Sequence, residues 1–234
     1  MSELPRANDR YQTLNLQIYP GYPDVRLVMS KFNISTDATL PDGPWSTNTD
    51  RVPSILRQEE LHSSGYQLDS NGRPLHPWIK RMITDRNTGV VTGRGSYWQW
   101  GPNYTADPIV ITSEPTPKIL LIQRSDTGSW ALPGGFVDAD ESADRAARRE
   151  LFEETGLVIN DTPTLLYKGV VDDPRATAHA WPETTAYVWR IDKPATVKAS
   201  DDAVHAEWFC IDTLPDQLHG SHKHLIALAV NDME

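Results

Sequence analysis

The stretch that decides the fold begins Gly135-Phe-Val-Asp-Ala-Asp-Glu141 and, after seven more residues, continues Arg149-Glu150-Leu151-Phe152-Glu153-Glu154-Thr155-Gly156-Leu157. Residues 142–154 (SADRAARRELFEE) are rich in Ala, Arg, Glu and Leu and run into Gly156, which predicts a helix closed by a left-handed cap. On that helix Glu150, Glu153 and Glu154 stand at i, i+3 and i+4, so three carboxylates leave one face. Like charges so spaced repel, on the order of a few tenths of a kcal/mol per pair. The negative pole of the helix macrodipole adds to the cost. A cation lying on this face would offset both. Ala143, Ala147 and Leu151 form a separate stripe suited to packing on a sheet. Oxygen donors alone favour Mg²⁺ or Mn²⁺ over zinc. Glu141 is placed to pair with Arg149, and the run Leu132-Pro133-Gly134-Gly135 lets backbone approach a metal or phosphate closely.

Outward from this helix, short apolar runs bounded by turn residues read as buried strands. They are 108–111 (PIVI), 119–123 (ILLIQ), 165–171 (LLYKGVV), 185–191 (TAYVWRI) and 206–210 (AEWFC). A last helix is expected over 222–230. The fold class is therefore α/β or α+β, with a mixed sheet between helices. Residues 1–105 differ in texture. Pro, Gly, Asn, Ser and aromatics dominate, and Pro20, Gly21 and Pro23 argue against long helices across 18–27. We expect a smaller β-rich N-terminal region of short strands over 1–105, for example at 65–68 before the turn 70–73, shaping a cleft beside a second domain at 106–234.

The composition, 38% hydrophobic and 23% charged, is that of an ordinary globular chain, and no run approaches a membrane span. The first residues lack the apolar core of a secretory signal, and the single Cys210 forms no internal disulfide, so a cytoplasmic location is expected. A net charge of −10 argues against nucleic acid as partner. An anionic ligand would then need a local reversal of sign, which a divalent metal on the chain's own carboxylates provides.

The central stretch is similar, at every fixed position, to the Nudix box: Gly, five residues, Glu, seven residues, Arg-Glu, aliphatic, any, Glu-Glu, any, Gly, aliphatic. The resemblance implies a Nudix α/β/α sandwich and metal-assisted attack of water on a diphosphate that joins a nucleoside to another moiety. It implies Glu150, Glu153 and Glu154, with the Gly135 carbonyl, as metal ligands, and Glu150, Glu153, Glu154, Arg149 and Glu141 as the catalytic set. Glu150 is the box's candidate general base; Glu183 and Asp202 are the candidates on later loops.

Four flanking segments resemble ADP-ribose pyrophosphatases of the mitochondrial type and the Nudix-like domain of melastatin-type channels. They are Asn71, Gly72, Arg73 and Pro74 with Thr88-Gly89 and Gly93-Arg94-Gly95; Trp100, Gly101, Pro102 and Asn103 with Ala106-Asp107-Pro108-Ile109; Asp172, Asp173, Pro174, Arg175 and Thr177 with Ala180-Trp181 and Glu183-Thr184; and Asp201, Asp202 and Ala203 before Trp208, with Ser221-His222 ahead of the last helix. They imply ADP-ribose as the small-molecule substrate and AMP with ribose 5-phosphate as products. Asp173 and Arg175 are expected to contact it, with Leu132, Asn103, Trp100, His219 and Ser221. An Arg fork suits phosphate oxygens, and an Asp accepts from ribose hydroxyls or the adenine amine. His219 and Ser221 stand where the family often has Tyr and Asn. His222 and His224 read as capping or surface residues. The channel domains and mitochondrial-type enzymes depart from the box in its last positions, whereas this chain keeps Arg149-Glu150 and Glu-Glu-Thr-Gly-Leu, so catalysis is expected. An ADP-sugar, NADH, a dinucleoside polyphosphate or a non-catalytic ADP-ribose sensor are the alternatives, and either a monomer or a homodimer fits.

Overall fold

The computed structural model describes residues 52–79, 93–94, 97–173 and 175–231. The expectation for 18–27, the segment Thr88-Gly89, Gly95 and Pro174 lie outside them. The chain divides into two compact units, Met1–Asn103 with Val170–Pro182, and Tyr104–Gly169 with Glu183–Glu234.

β1 (Gly101–Thr112), β2 (Lys118–Arg124), β3 (Trp130–Ala131), β4 (Gly135–Phe136), β5 (Thr164–Val170), β6 (Ala180–Ile191) and β7 (Ala203–Cys210) form one seven-stranded mixed sheet, most of it in the second unit. Its order is β3-β2-β1-β6-β5, with β4 on β1 and β7 on β2. Strand β2 lies antiparallel to β7, from Lys118 opposite Cys210 to Arg124 opposite Ala203. The apolar runs explain the layers. Alternate residues of a strand point to opposite faces, so an unbroken apolar run must be covered on both. Ile109 and Ile111 of β1 and Ile119 and Leu121 of β2 bury against Leu225, Ile226 and Ala229 of α3 (His222–Asn231). Val110 and Leu120, one residue out of phase, bury with Ala146, Ala147 and Leu151 of α2 (Ala143–Thr155). Two helices on two faces make an α/β/α sandwich.

Helix α2 ends as its sequence predicts. Gly156 takes φ 70° and its N–H returns to the Phe152 carbonyl. Its buried stripe is Ala146, Ala147 and Leu151, with Ala146 deeper than the expected Ala143, which is only half-buried.

Within the first unit, a helix α1 (Ile55–Ser63) stands where short strands were expected. Ser54 caps it by accepting the Arg57 N–H, and the run ILRQEELHS holds neither Gly nor Pro, so local propensity overrides the Pro-rich surroundings. The turn at 70–73 is present: Asp69 accepts the N–H groups of Asn71 and Arg73 and pairs with the Arg73 guanidinium, closing a Leu68–Pro74 bridge. Residues 170–182 join this unit through hydrogen bonds to main-chain groups of residues 76, 93 and 101. The His76 N–H donates to the Ala178 carbonyl, the Gly101 N–H to that of His179, and the Thr177 hydroxyl to that of Gly93. Trp181 is fully buried beside Tyr66 and His76.

Candidate active site

Strands β3 and β4 are two residues long because they serve the loop between them. His222 accepts the Leu132 N–H at its Nδ1, 2.8 Å away, and the His219 N–H meets the Trp130 carbonyl, so the chain leaves β3 already fixed. It turns at Gly134, whose φ of 150° and lack of room for a Cβ both require glycine. The Gly134 N–H donates to Glu154 Oε2 at 2.9 Å. Next, Gly135 pairs with Ala106 of β1, and its Cα lies so near the Glu150 carboxylate that a Cβ would fall 2.4 Å from Oε1. The Leu132-Pro-Gly-Gly run thus presses main chain onto two glutamates of α2.

These two glutamates are buried, Glu150 at 9% and Glu154 at 3% exposure. Desolvation pushes the Glu154 carboxyl up to about 8; the Gly134 N–H opposes this, while the Glu150 and Asp202 charges reinforce it. Burial also raises Glu150, against Arg149 and with help from Glu153 and Asp201. Arg149 is the local counterion. Its guanidinium forks onto Glu141 at 3.1 and 2.9 Å, reaches Glu150 at 2.7 Å and Glu153 at 3.0 Å, and donates to the Phe136 carbonyl. It thereby holds the Glu141 carboxyl below its ordinary value, and its own pKa is raised by the same pairs. Glu153 is more exposed than the other two.

Among the described residues no three His, Cys, Asp or Glu side chains are gathered as an ion's ligand set, because Arg149 draws Glu150 and Glu153 to itself. The donor chemistry nevertheless fits a hard divalent cation. Glu150 and Glu154 are buried carboxyls held protonated more readily than is ordinary, and a glycine leaves space beside one of them. The loop with Asp201 and Asp202 is tied to the end of α2, since the Ser200 N–H donates to the Glu154 carbonyl and its hydroxyl to that of Glu153. Asp201 itself adopts φ 54°.

The other expected residues fall as follows. The Leu132 side chain is core, leaving its backbone toward the Gly-Gly turn. His219 and Ser221 are buried at the start of α3, with the His219 ring edge-on to that of His222. In the first unit, the Asp173 carboxylate accepts the Arg175 N–H and is gripped by its guanidinium, the shortest contact being 2.6 Å. There too, Trp100 is buried near His179, its carbonyl accepting from Arg57, and the Asn103 amide donates to the Gln99 and Gly101 carbonyls. Sequence reasoning passed over three contributors: His222 as the acceptor for Leu132, Gly134 as the donor to Glu154, and the buried pair of Asp107 and Thr184, whose oxygens lie 2.5 Å apart. A carboxylate inside the apolar run of β1 was the available signal for the last.

Comparison with known proteins agrees with this geometry. The family model described as "NUDIX domain" matches residues 103–229. The chain is 39% identical to "Putative nudix hydrolase 6" of Caenorhabditis elegans over 67% of its own length and 62% of that protein's. It is 34% identical to "ADP-ribose pyrophosphatase, mitochondrial" of Rattus norvegicus, over 73% of its own length and 57% of that protein's. It thus spans about three fifths of the length of these two relatives. An "ADP-ribose pyrophosphatase" of Methanocaldococcus jannaschii is 36% identical, with 53% of this chain and 71% of that one covered. With the box filled at every position, two of its carboxylates buried against a Gly-Gly turn and the family model spanning more than half of its length, the chain belongs to the Nudix family.

Proposed function

We propose that the chain is a magnesium-dependent pyrophosphatase that hydrolyses the diphosphate of ADP-ribose to AMP and ribose 5-phosphate. The observation that carries the chemistry is the burial of Glu150 and Glu154 against Gly135 and Gly134, an arrangement costly for folding unless a cation and a polyanion join it. The choice of ADP-ribose is supported by the names of the rat and archaeal relatives and by the four flanking segments.

Glu150, Glu153 and Glu154, with the Gly135 carbonyl, would hold Mg²⁺ or Mn²⁺. When bound, the ion supplies charge neutralisation and Lewis acidity at the diphosphate. Arg149 pairs with Glu150 and Glu153 and, through Glu141 and the Phe136 carbonyl, ties α2 to β4. The attacking water forms a bond to phosphorus while the bridging P–O bond breaks, and its proton passes to a carboxylate. Glu150 is our choice of base, since its raised pKa makes it a better acceptor than an ordinary glutamate. Glu183 and Asp202 are the alternatives. The departing phosphate is already a stable anion and needs little acid help. Arg175 would bind phosphate oxygens and Asp173 the ribose or adenine, which requires their mutual pair to open or share. Leu132, Trp100, Asn103, His219 and Ser221 are the further residues we expect to contact the nucleotide. Among the described residues no helix is long and apolar enough to cross a membrane.

The test is product analysis. The protein is incubated with ADP-ribose and Mg²⁺ in ¹⁸O water, and the products are followed by mass spectrometry. AMP and ribose 5-phosphate are expected, with the label identifying the attacked phosphorus. Intact ADP-ribose beside turnover of an ADP-sugar, NADH or dinucleoside polyphosphate would overturn the substrate; intact ADP-ribose that binds tightly would overturn catalysis.

A further inference from the structure

Two segments noted in the sequence, Ala106-Asp107-Pro108-Ile109 and Glu183-Thr184, meet behind the Gly-Gly turn. The Thr184 hydroxyl donates to Asp107 Oδ2 at 2.5 Å, and both side chains are buried, Thr184 at 1% and Asp107 at 7% exposure. The other oxygen, Asp107 Oδ1, faces Gly134: a Cβ there would sit 2.7 Å from it and 2.6 Å from the Ala106 carbonyl. Register fixes the contact, since Thr105 and Ala106 pair with Phe136 and Gly135. The same Gly134 gives its N–H to Glu154. A line of contacts therefore runs from the Thr184 hydroxyl through the Asp107 carboxylate and the Gly134 peptide to a carboxylate of the box.

A buried acid behind two buried glutamates is costly for folding, and a neutral pair would fill the same space without that cost. We propose that Asp107 and Thr184 are positioning residues for the reaction. The Thr184 hydroxyl fixes the Asp107 carboxylate, which sets the Gly134 peptide plane, and that peptide aims the Glu154 carboxylate at the cation. Neither residue touches substrate in this scheme; both act through Glu154. The inference rests on the assignment of Glu154 as a cation ligand and leaves the identity of the nucleotide open. It also accounts for the glycine at 134 beyond its φ angle, because any side chain there would displace the carboxylate that supports the turn.

The full chain is titrated with Mn²⁺ by electron paramagnetic resonance in the absence of nucleotide, as wild type, Thr184→Val and Thr184→Ser. Val keeps the volume and removes the hydroxyl; Ser keeps the hydroxyl and loses a methyl. We expect Thr184→Val to weaken Mn²⁺ binding by about tenfold, the scale for groups that orient metal ligands, with Thr184→Ser within about twofold of wild type. With ADP-ribose as substrate, kcat should fall in Thr184→Val at unchanged KM and recover in Thr184→Ser. Should Thr184→Val not fold, Thr184→Ala introduces no clash and must show the same loss. Wild-type Mn²⁺ affinity in Thr184→Val, or a loss in Thr184→Ser equal to that in Thr184→Val, overturns the proposal in favour of packing alone. Absence of Mn²⁺ binding in the wild type overturns it together with the metal assignment. Failure to cleave ADP-ribose with Mn²⁺ binding intact counts against the substrate and leaves the pair judged by the titration.

Discussion

Replacing Glu154 by Gln should stabilise the metal-free protein at alkaline pH, and the size of the gain follows from the burial of one carboxyl. Glu154 is 3% exposed and its pKa rises from 4.5 to about 8. The folded protein therefore keeps a proton that the unfolded chain has released throughout that window. Stability is full below the unfolded value, falls as pH rises above 4.5, and levels off once the folded group also ionises near 8. A span of about 3.5 pH units at about 1.4 kcal/mol each sets a ceiling near 5 kcal/mol. Relaxation and water penetration around the ionised group cut this to about 2 kcal/mol. For a chain of this length that is about 4–8 °C in Tm. Gln keeps an oxygen for the Gly134 N–H and carries no charge. The assay is thermal unfolding of wild type and Glu154→Gln in chelator at pH 5.5 and 8, then with Mg²⁺. The variant should melt higher at pH 8 and by much less at pH 5.5, and Mg²⁺ should raise the wild type alone. A variant that melts below wild type at pH 8 in chelator would show that the Gly134 bond outweighs desolvation and would refute the reasoning.

Other substitutions test the remaining parts. Glu150→Gln should lower turnover by about 10²–10⁴-fold with the melting temperature intact, the range for loss of a proton acceptor; turnover like wild type would remove Glu150 from both of its roles. Gly135→Ala places a Cβ on the Glu150 carboxylate, so the Mg²⁺ concentration for half-maximal rate should rise at least about tenfold; an unchanged Mg²⁺ titration would mean that the carboxylate moves aside freely. Arg149→Ala strands Glu141, Glu150 and Glu153 together, and urea unfolding at pH 7 should show a loss of about 1–3 kcal/mol. Because Glu141 is held below its ordinary value, its share of that loss should shrink as pH falls below 4.5. Arg175→Ala should raise KM for ADP-ribose about tenfold or more while kcat changes less, which steady-state kinetics would read directly.

The second unit was legible because its elements announce themselves locally. Runs such as ILLIQ at 119–123 are covered on both faces and so stay apolar at every position, and a helix that stops at Gly156 carries its own terminator. The box put Glu150, Glu153, Glu154 and Arg149 on one helix, as observed, and the Glu141–Arg149 pair followed from opposite charges across one stretch. What the sequence hid was long-range or conditional. Helix α1 is nine residues long in a Pro-rich neighbourhood, so composition outvoted a sound N-cap at Ser54. Segment 170–182 joins the N-terminal unit by hydrogen bonds to main-chain groups of 76, 93 and 101, which leave no periodicity to read. The bond from Leu132 to His222 spans 90 residues, and nothing in either neighbourhood points to the other.

One consequence concerns Arg149, which the box pattern holds beside the acids it serves. Three glutamates on one helical face must fold before any cation arrives, and the folded metal-free state needs a counterion. Arg149 supplies it, reaching Glu150 and Glu153 together, and it leaves Glu154 to the Gly134 N–H. In the proposed scheme an Arg at this place would play two opposed parts: it makes the metal-free fold tolerable, and it would compete with the cation for two of its ligands. The guanidinium also holds a fork on Glu141 and a bond to the Phe136 carbonyl, which would keep it in place if Glu150 and Glu153 turned to the ion. Anchoring on Glu141 would thus allow the same arginine to release Glu150 and Glu153, a part for the glutamate at the start of the box that needs no contact with the ion.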